Sequence, residues 1–187
     1  MRYAQIRSMD VSNGEGVGVA LFVQGCTHHC KNCFNPETWD FNGGKEWTED
    51  VKNHFLELID RPYIKRVSLL GGSPLADQNL DDVYNLVKEI KMKFPDKTIW
   101  LYTGYTVNIF ETYISFHTEI DVIPKSEDLG CNFKRASIIR KCDVVIDGKY
   151  EEDKKDLSLK FRGSSNQRLI DIKKSLEKGE MVLWDTF

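Results

Sequence analysis

The sequence lacks two features that would point to a nucleic acid or a membrane: an excess of positive charge and a long apolar run. Its 187 residues include 26 Lys and Arg against 29 Asp and Glu, a net charge of -3, whereas such partners are bound through clustered basic residues. No stretch approaches the roughly 18 uninterrupted apolar residues that cross a bilayer, and residues 1–6 contain no apolar segment typical of a signal peptide. We therefore expect a cytoplasmic protein with no nucleic acid or membrane partner.

Internal repeats and low-complexity segments are also missing from the sequence. With 41% hydrophobic and 29% charged residues, the chain has an ordinary composition and enough length to build its own core. We expect one globular domain over residues 1–187.

Cysteines are few and odd in number, which argues against a disulfide framework. Three of the five, Cys26, Cys30 and Cys33, fall within eight residues, and this crowding suits metal coordination better than disulfide pairing. Cys131 and Cys142 lie far from that group and are expected to be ordinary semi-buried thiols. All five are interpreted as reduced.

Strand-like and helix-like segments alternate along the chain. Short apolar runs predict strands over 16–24, 67–70, 98–102 and 143–146. Apolar positions at helical spacing predict helices over 48–60 and 80–94, each followed closely by a proline, and weaker patterns indicate helices over 108–115 and 133–141 and a strand over 121–123. This alternation predicts an α/β fold with a mostly parallel sheet.

Polar and glycine-rich residues follow four of the predicted strands. They are the cysteine group, Gly71-Gly72, Thr103-Gly104 and Asp147-Gly148. Because ligands of open α/β sheets bind off the carboxyl ends of the strands, these residues are expected to converge on one crevice.

The cysteines form a C-x3-C-x2-C motif on the loop after the first predicted strand. Three thiolates can bind three irons of a cubane and leave the fourth iron open, as a catalytic centre requires. The alternative is a zinc site in which His28 or His29 is the fourth ligand. The short loop would be strained by bringing either histidine onto the same metal, so positions outside the coordination shell suit both better.

Gly71-Gly72-Ser73-Pro74 presents backbone with little side chain, so a small polar ligand can approach its amides and carbonyls closely. On its own, without the cysteine group, this string is more typical of a tight strand-to-helix turn than of a ligand site.

Together, the cysteine motif and the Gly-Gly turn resemble the radical S-adenosylmethionine superfamily. Longer strings resemble one family in particular, the activating proteins of anaerobic ribonucleoside-triphosphate reductase. They are NGEG at 13–16, FVQGC at 22–26, TIWLYTGYT at 98–106, DVVIDGK at 143–149 and LKFRGSSNQR at 159–168. The resemblance covers most of the chain, from about residue 3 to residue 173.

The resemblance implies a partial (β/α) barrel and a 4Fe–4S cluster on the three cysteines. In this family an electron from reduced flavodoxin or ferredoxin cleaves S-adenosylmethionine to methionine and a 5′-deoxyadenosyl radical. That radical takes a Cα hydrogen from a glycine of the large reductase subunit, while the protein positions its cofactors and excludes water and oxygen.

The resemblance also implies which residues hold the nucleotide. The candidates are Phe34, Gly71, Gly72, Ser73, Thr103, Gly104, Asp147 and Lys149. Asn32 and Ser73 depart from the superfamily pattern. Asn32 stands where an aromatic residue often precedes the third cysteine, so Phe34, just after that cysteine, is the candidate to hold the adenine. Ser73 stands where an acid is usual, so backbone contacts are expected from that turn.

Two rival functions are compatible with these residues: a radical enzyme acting on a small molecule, such as a deazapurine ring-contracting synthase, and a zinc-binding or electron-transfer module. The string at 161–168 is expected either to dock a partner or to cap the site. The charged run at 151–156 is expected to be a solvated loop or the start of a helix.

Overall fold

A computed structural model describes residues 1–107 and 128–185, and its strands form one sheet. The strands are β1 (Arg2–Asp10), β2 (Gly18–Val23), β3 (Lys45–Glu46), β4 (Arg66–Gly71), β5 (Thr98–Tyr102), β6 (Val144–Asp147) and β7 (Arg168–Asp171). Their order across the sheet is β3-β1-β2-β4-β5-β6-β7.

The four central strands, β2, β4, β5 and β6, run parallel. β1 and β3 on one side, and β7 on the other, run antiparallel to their neighbours. This confirms the predicted α/β class and the parallel core of the sheet. Within the described ranges the sheet ends at β3 and β7 and does not close on itself.

The α-helices within the described residues are α1 (Glu49–Ile59), α2 (Leu80–Lys93), α3 (Asp128–Lys141) and α4 (Ile172–Lys178). Thr48 caps the start of α1, where its hydroxyl accepts the N–H of Val51 over 3.3 Å, and acidic residues in the first turn interact favourably with the helix dipole. Asp171 caps the start of α4, and Gly179 follows its end in the left-handed conformation typical of that position.

The helices cover one face of the sheet. A row of directly paired residues crosses the sheet on that face and is fully or almost fully buried: Leu21, Leu69, Leu101, Val145 and Ile170. Apolar side chains of all four helices belong to the same core. The opposite face, called the far face below, carries Phe22, Leu70, Trp100, Tyr102 and Ile146.

Most of the elements predicted from the sequence are present. The strand at 98–102 has the predicted bounds, α1 and α2 agree to within a residue or two, and the helix predicted at 133–141 begins earlier, at residue 128. β1, β3, β7 and α4 were not predicted. The segments predicted at 108–115 and 121–123 lie outside the described residues. None of the described helices has the length and apolar character needed to cross a membrane.

Candidate metal and ligand site

The carboxyl ends of the parallel strands meet at one edge of the sheet, as the sequence predicts. After β4, the N–H of Gly72 donates to Val23 over 2.9 Å and that of Ser73 to Gly25 over 2.7 Å. After β5, the N–H of Thr103 donates to Ile146 of β6 over 2.9 Å. These bonds join the turn after β4 to the end of β2, and the turn after β5 to β6.

The cysteines lie on the loop that follows β2, residues 25–39, called the cysteine loop below. Backbone bonds close its base, from Gly25 N–H to Thr38 over 2.8 Å and from Cys26 N–H to Trp39 over 3.0 Å. His29 and Asn32 have φ angles of 44° and 55°, a left-handed conformation uncommon for residues other than glycine. The loop is thus a compact turn that presents its side chains above the sheet edge.

All three thiols of the loop are half-buried and free of disulfides. Burial, and secondarily the neighbouring thiols, raise the pKa of Cys26 and Cys30. The sulfurs therefore lie close enough to influence one another, and a bound cation would overcome this by displacing their protons.

Backbone N–H groups also face these sulfurs. The N–H of Asn35 donates to the sulfur of Cys33 over 3.4 Å. Backbone groups of His28 and His29 partly offset the rise in the pKa of Cys26, and that of Tyr150 partly offsets the rise in the pKa of Cys30. N–H groups aimed at sulfur stabilise thiolates, so the loop is suited to bind a metal through all three cysteines.

The two histidines pack against aromatic rings. The ring of His28 meets that of Tyr105 edge-on at 4.7 Å, and the ring of His29 stacks on that of Trp39 at 4.7 Å. Burial lowers the pKa of His28 to about 4, so its imidazole is neutral near pH 7. In residues 1–107 and 128–185, no three His, Cys, Asp or Glu side chains are grouped as one metal ion would require. A cubane, in which each thiolate binds a different iron, has no need of such a grouping.

The turn after β4 packs directly beneath the cysteine loop. Gly71 has a φ of 99°, and a Cβ on Gly72 would lie 2.5 Å from the carbonyl oxygen of Gly25 and 2.9 Å from that of Thr38. Ser73 is buried, and its hydroxyl has no hydrogen-bond partner among the described residues. The two glycines are thus required by close backbone packing.

The turn after β5 reaches the cysteine loop from the other side. Thr103 is buried, and its hydroxyl accepts the N–H of Tyr105 over 3.2 Å. A Cβ on Gly104 would lie 2.4 Å from the ring of His28. Gly104 therefore leaves room for the His28 ring to pack against this turn.

At the end of β6, Asp147 is almost fully buried and forms internal bonds. It accepts from Arg168 Nε over 2.9 Å and from the N–H of Val107 over 2.8 Å. A ligand of this carboxylate would have to share it with those donors. Lys149 is exposed, and its charge contributes to the low pKa of His28, which puts it near the cysteine loop.

Phe34 is 53% exposed at the rim of the loop. The Phe34 ring lies 5.0 Å from the Tyr150 ring. A Cβ on Gly163 would lie 2.4 Å from the Phe34 ring. Tyr150 and Gly163 were not predicted as site residues. For Tyr150, the available signal was its place two residues after the Gly148 turn.

The string at 161–168 lies along this edge of the site. Phe161 packs edge-on against Trp100 of the far face at 5.3 Å, Gly163 contacts Phe34, and Arg168 binds Asp147. The charged run before it contains a short 3-10 turn, Glu152–Lys154, with no buried residue, as expected for a solvated loop.

Buried polar atoms without partners concentrate at this site. Among the described residues they are Gln24 Oε1, His28 Nε2, Trp39 Nε1, Ser73 Oγ, Tyr102 OH, Arg162 Nε and Asn166 Oδ1. All belong to the cysteine loop, its base, the strand ends or the string at 161–168. Buried polar groups are nearly always paired, so the position of these atoms is compatible with a polar ligand at this site.

Comparisons with known proteins agree with this arrangement. The family of 4Fe-4S single cluster domains matches residues 12–170. The chain is 37% identical to the anaerobic ribonucleoside-triphosphate reductase-activating protein of Pasteurella multocida over 89% of this chain and 95% of the relative. The protein of that name from enterobacteria phage T4 is 37% identical over 90% and 93% of the two chains, and that from Escherichia coli K12 is 36% identical over 89% and 96%.

Proposed function

Since this chain belongs to the 4Fe-4S single cluster domain family and to that of the anaerobic ribonucleoside-triphosphate reductase-activating proteins, we propose that it installs a glycyl radical on the large subunit of that reductase. The observation that carries the proposal is a compact loop with three free thiols at the carboxyl edge of a parallel sheet, in a chain of almost the full length of its relatives. The protein is then an oxidoreductase of the radical S-adenosylmethionine type.

Cys26, Cys30 and Cys33 would hold the cluster, and the unpartnered polar atoms around them support a nucleotide beside it. When bound, the cluster supplies the electron that splits S-adenosylmethionine into methionine and a 5′-deoxyadenosyl radical. The protein's own part is to orient the nucleotide and to keep water and oxygen away from the reacting atoms.

We assign the nucleotide contacts to the residues that surround the cysteine loop. Phe34 offers an exposed aromatic ring for the adenine. Ser73 offers a buried hydroxyl and Gly71, Gly72, Thr103 and Gly104 offer backbone groups, with Asp147 and Lys149 at the end of β6. The free hydroxyl of Ser73 supports a direct side-chain contact, in addition to the backbone contacts expected from the sequence.

The remaining parts of the proposal concern the whole chain. We propose a single domain whose sheet curves into a partial (β/α) barrel, with the far face as its interior. The parallel central strands, and the packing of all the described helices on one face of the sheet, support such curvature. Reduced flavodoxin or ferredoxin is the proposed electron donor and the cytoplasm the proposed location.

Anaerobic reconstitution with iron and sulfide tests the metal centre. We expect about four irons per chain, loss of the cluster when Cys26, Cys30 or Cys33 is changed to Ala, and an intact cluster in the matched controls Cys131→Ala and Cys142→Ala. Electron paramagnetic resonance with and without S-adenosylmethionine should show a spectral change on binding. Stoichiometric zinc with no iron–sulfur absorbance would favour the zinc module instead.

Transfer of the radical tests the substrate. Reduced protein alone should cleave S-adenosylmethionine slowly, because the reacting hydrogen is supplied only by the docked glycine segment. Adding the anaerobic reductase subunit should produce a stable glycyl radical doublet in that subunit, whereas a pyruvate formate-lyase type partner should acquire none. Consumption of a small pterin-like substrate, with no radical on the reductase, would favour the small-molecule enzyme.

A further inference from the structure

Asn79 is a buried amide between the turn after β4 and the start of α2. It is 1% exposed and occupies the cap position of α2. An asparagine at that position usually accepts an N–H of the first helical turn with its side chain. Here the side chain forms no such cap, so the start of the helix does not explain why an amide is buried at this position.

The Asn79 amide donates to two backbone carbonyls at the carboxyl edge of the sheet. Nδ2 lies 2.9 Å from the carbonyl oxygen of Gln24, directly after β2, and 3.0 Å from that of Ser73, in the turn after β4. An amide NH2 group has two hydrogens, so it can form both bonds at once. The side chain therefore bridges the residue before the cysteine loop and the turn that packs beneath that loop.

Gln24 extends this bridge to the other end of the cysteine loop. Its buried side chain donates from Nε2 to the carbonyl of Glu37 over 2.8 Å. The backbone of Gln24 is thus held by Asn79, and its side chain holds the end of the loop. A shift of Asn79 would move the loop relative to the Ser73 turn.

The two sides of the bridge have different parts in the proposed function. The cysteine loop would hold the cluster, and the Ser73 turn would contact the nucleotide. Assembly of the cluster depends on the arrangement of three thiols within one loop. A nucleotide that touches both the cluster and the turn depends also on their separation, and a misplacement of about 1 Å between groups that act together is costly.

We propose that Asn79 is a positioning residue that sets the separation of the cysteine loop and the Ser73 turn, and thereby the affinity for S-adenosylmethionine. This rests on the proposed function, in that the loop holds the cluster and the turn contacts the nucleotide. Asn79 itself touches neither of them.

Equilibrium dialysis of S-adenosylmethionine against the anaerobically reconstituted protein tests the proposal. Asn79→Ala removes the amide, and Asn79→Leu removes it without leaving a cavity. Both variants should keep their iron, because the backbone bonds from Gly25 and Cys26 still close the loop. Both should bind the nucleotide about tenfold more weakly, or by about 1.4 kcal/mol. Gln78→Ala, an exposed neighbour in the same turn, is the matched control and should bind like the parent protein.

Electron paramagnetic resonance of the reduced cluster supplies a readout that a merely structural role would not produce. Without nucleotide, the spectra of the Asn79 variants should match that of the parent, since the thiols of the loop keep their arrangement. At a nucleotide concentration that converts the parent spectrum fully, the variants should convert only in part. A higher concentration should complete the conversion.

The outcomes separate the two proposals. Parent-like affinity in both Asn79 variants, or an equal loss in Gln78→Ala, overturns this inference alone. Loss of iron from both Asn79 variants also overturns it, because Asn79 would then support the loop itself and not its separation from the turn. Failure of the unaltered protein to assemble a cluster or to bind S-adenosylmethionine overturns the proposed function, and this inference with it.

Discussion

Gly72 is the residue on which the packing of the site depends most directly. The sequence indicated that a side chain there would occupy space needed by a ligand. The structure gives a different reason, because a Cβ would press against the carbonyl oxygens of Gly25 and Thr38, which form the base of the cysteine loop. A side chain at position 72 would therefore displace the cysteine loop directly, and it would affect a bound ligand through that displacement.

Gly72→Ala should destabilise the fold by about 1–3 kcal/mol through overpacking and lower the iron content after reconstitution, since the loop must move. Gly72→Val should be worse. Thermal unfolding and iron analysis measure the two effects.

The neighbouring variant Ser73→Ala is the matched control. It removes a buried hydroxyl without a partner, so the stability of the ligand-free protein should change little or rise slightly. Its affinity for S-adenosylmethionine should fall by less than about tenfold, or about 1.4 kcal/mol. Equal losses of iron in Gly72→Ala and Ser73→Ala would contradict the packing account.

At the scale of single residues, the site was predictable from the sequence where its chemistry depends on a side chain. The spacing of Cys26, Cys30 and Cys33 located the loop because thiols in that pattern have few other uses. Tyr150 was missed because its ring reaches Phe34 only through the folding of two distant segments, and no motif marks it. Tyr102, whose buried hydroxyl lies on the far face, was missed because tyrosine is common in strands and therefore gives no functional signal there.

At the scale of elements, a buried ion pair joins β1 to β4. Arg66 and Asp10 are almost fully buried, with Arg66 Nη2 2.9 Å from the Asp10 carboxylate. Arg66 also donates to the carbonyls of Asn13 and Glu15, over 2.6 and 3.2 Å. The pair thereby fixes the connection between β1 and β2 against the beginning of β4.

This pair predicts a specific response to acid. Burial raises the pKa of Asp10, but hydrogen bonds from Arg66 and Asn13 and the charge of Arg66 outweigh it, so the pKa is lowered overall. A carboxyl with a lowered pKa stabilises the fold above its unfolded value of about 3.9, and this stability is lost as the pH falls through the lower folded value. Denaturant unfolding should therefore show a loss of stability that begins near pH 4 and continues below it.

Asp10→Asn should remove that part of the pH dependence and cost about 3–5 kcal/mol at neutral pH, because the buried Arg66 is left uncompensated. Asp153→Asn, at an exposed position, is the control and should unfold like the parent. An unchanged acid profile in Asp10→Asn would rule out the ion pair as its source.

Elements were predictable where apolar spacing was regular. α2 buries Leu80, Val83, Leu86, Val87 and Ile90, a pattern that specifies a helix. β1 was missed because only Tyr3 and Asp10 are buried among its nine residues, which leaves no alternation to recognise. β7 and α4 were missed because each is short and lies beside the polar string at 161–168.

At the scale of the whole molecule, the cysteine loop is held by three parts of the chain. The Gly72–Ser73 turn forms hydrogen bonds to its base, Gly104 packs against His28, and Tyr150 of the segment after β6 packs on Phe34. These contacts exist together only in the folded chain. A metal bound through the loop therefore favours the folded state over the unfolded one.

Removal of the metal should lower the unfolding temperature accordingly. A ligand present at one hundred times its dissociation constant contributes about 2.7 kcal/mol, which for a chain of this length corresponds to about 5–10 °C. Anaerobic calorimetry of loaded and metal-free protein measures the difference. Cys30→Ala should melt at one temperature under both conditions; a metal-dependent shift in that variant would show that the stabilisation arises elsewhere.

The stacking of His29 on Trp39 has a practical consequence for following this chemistry. Trp39 is one of four tryptophans, and its carbonyl accepts the N–H of Cys26, so its indole lies at the base of the metal-binding loop. Iron–sulfur clusters absorb in the range where indole emits and quench it by energy transfer. Loading should dim the emission of the protein, and much of that loss should disappear in Trp39→Phe. The chain thus carries an intrinsic optical reporter that can be read in an anaerobic cuvette without a label.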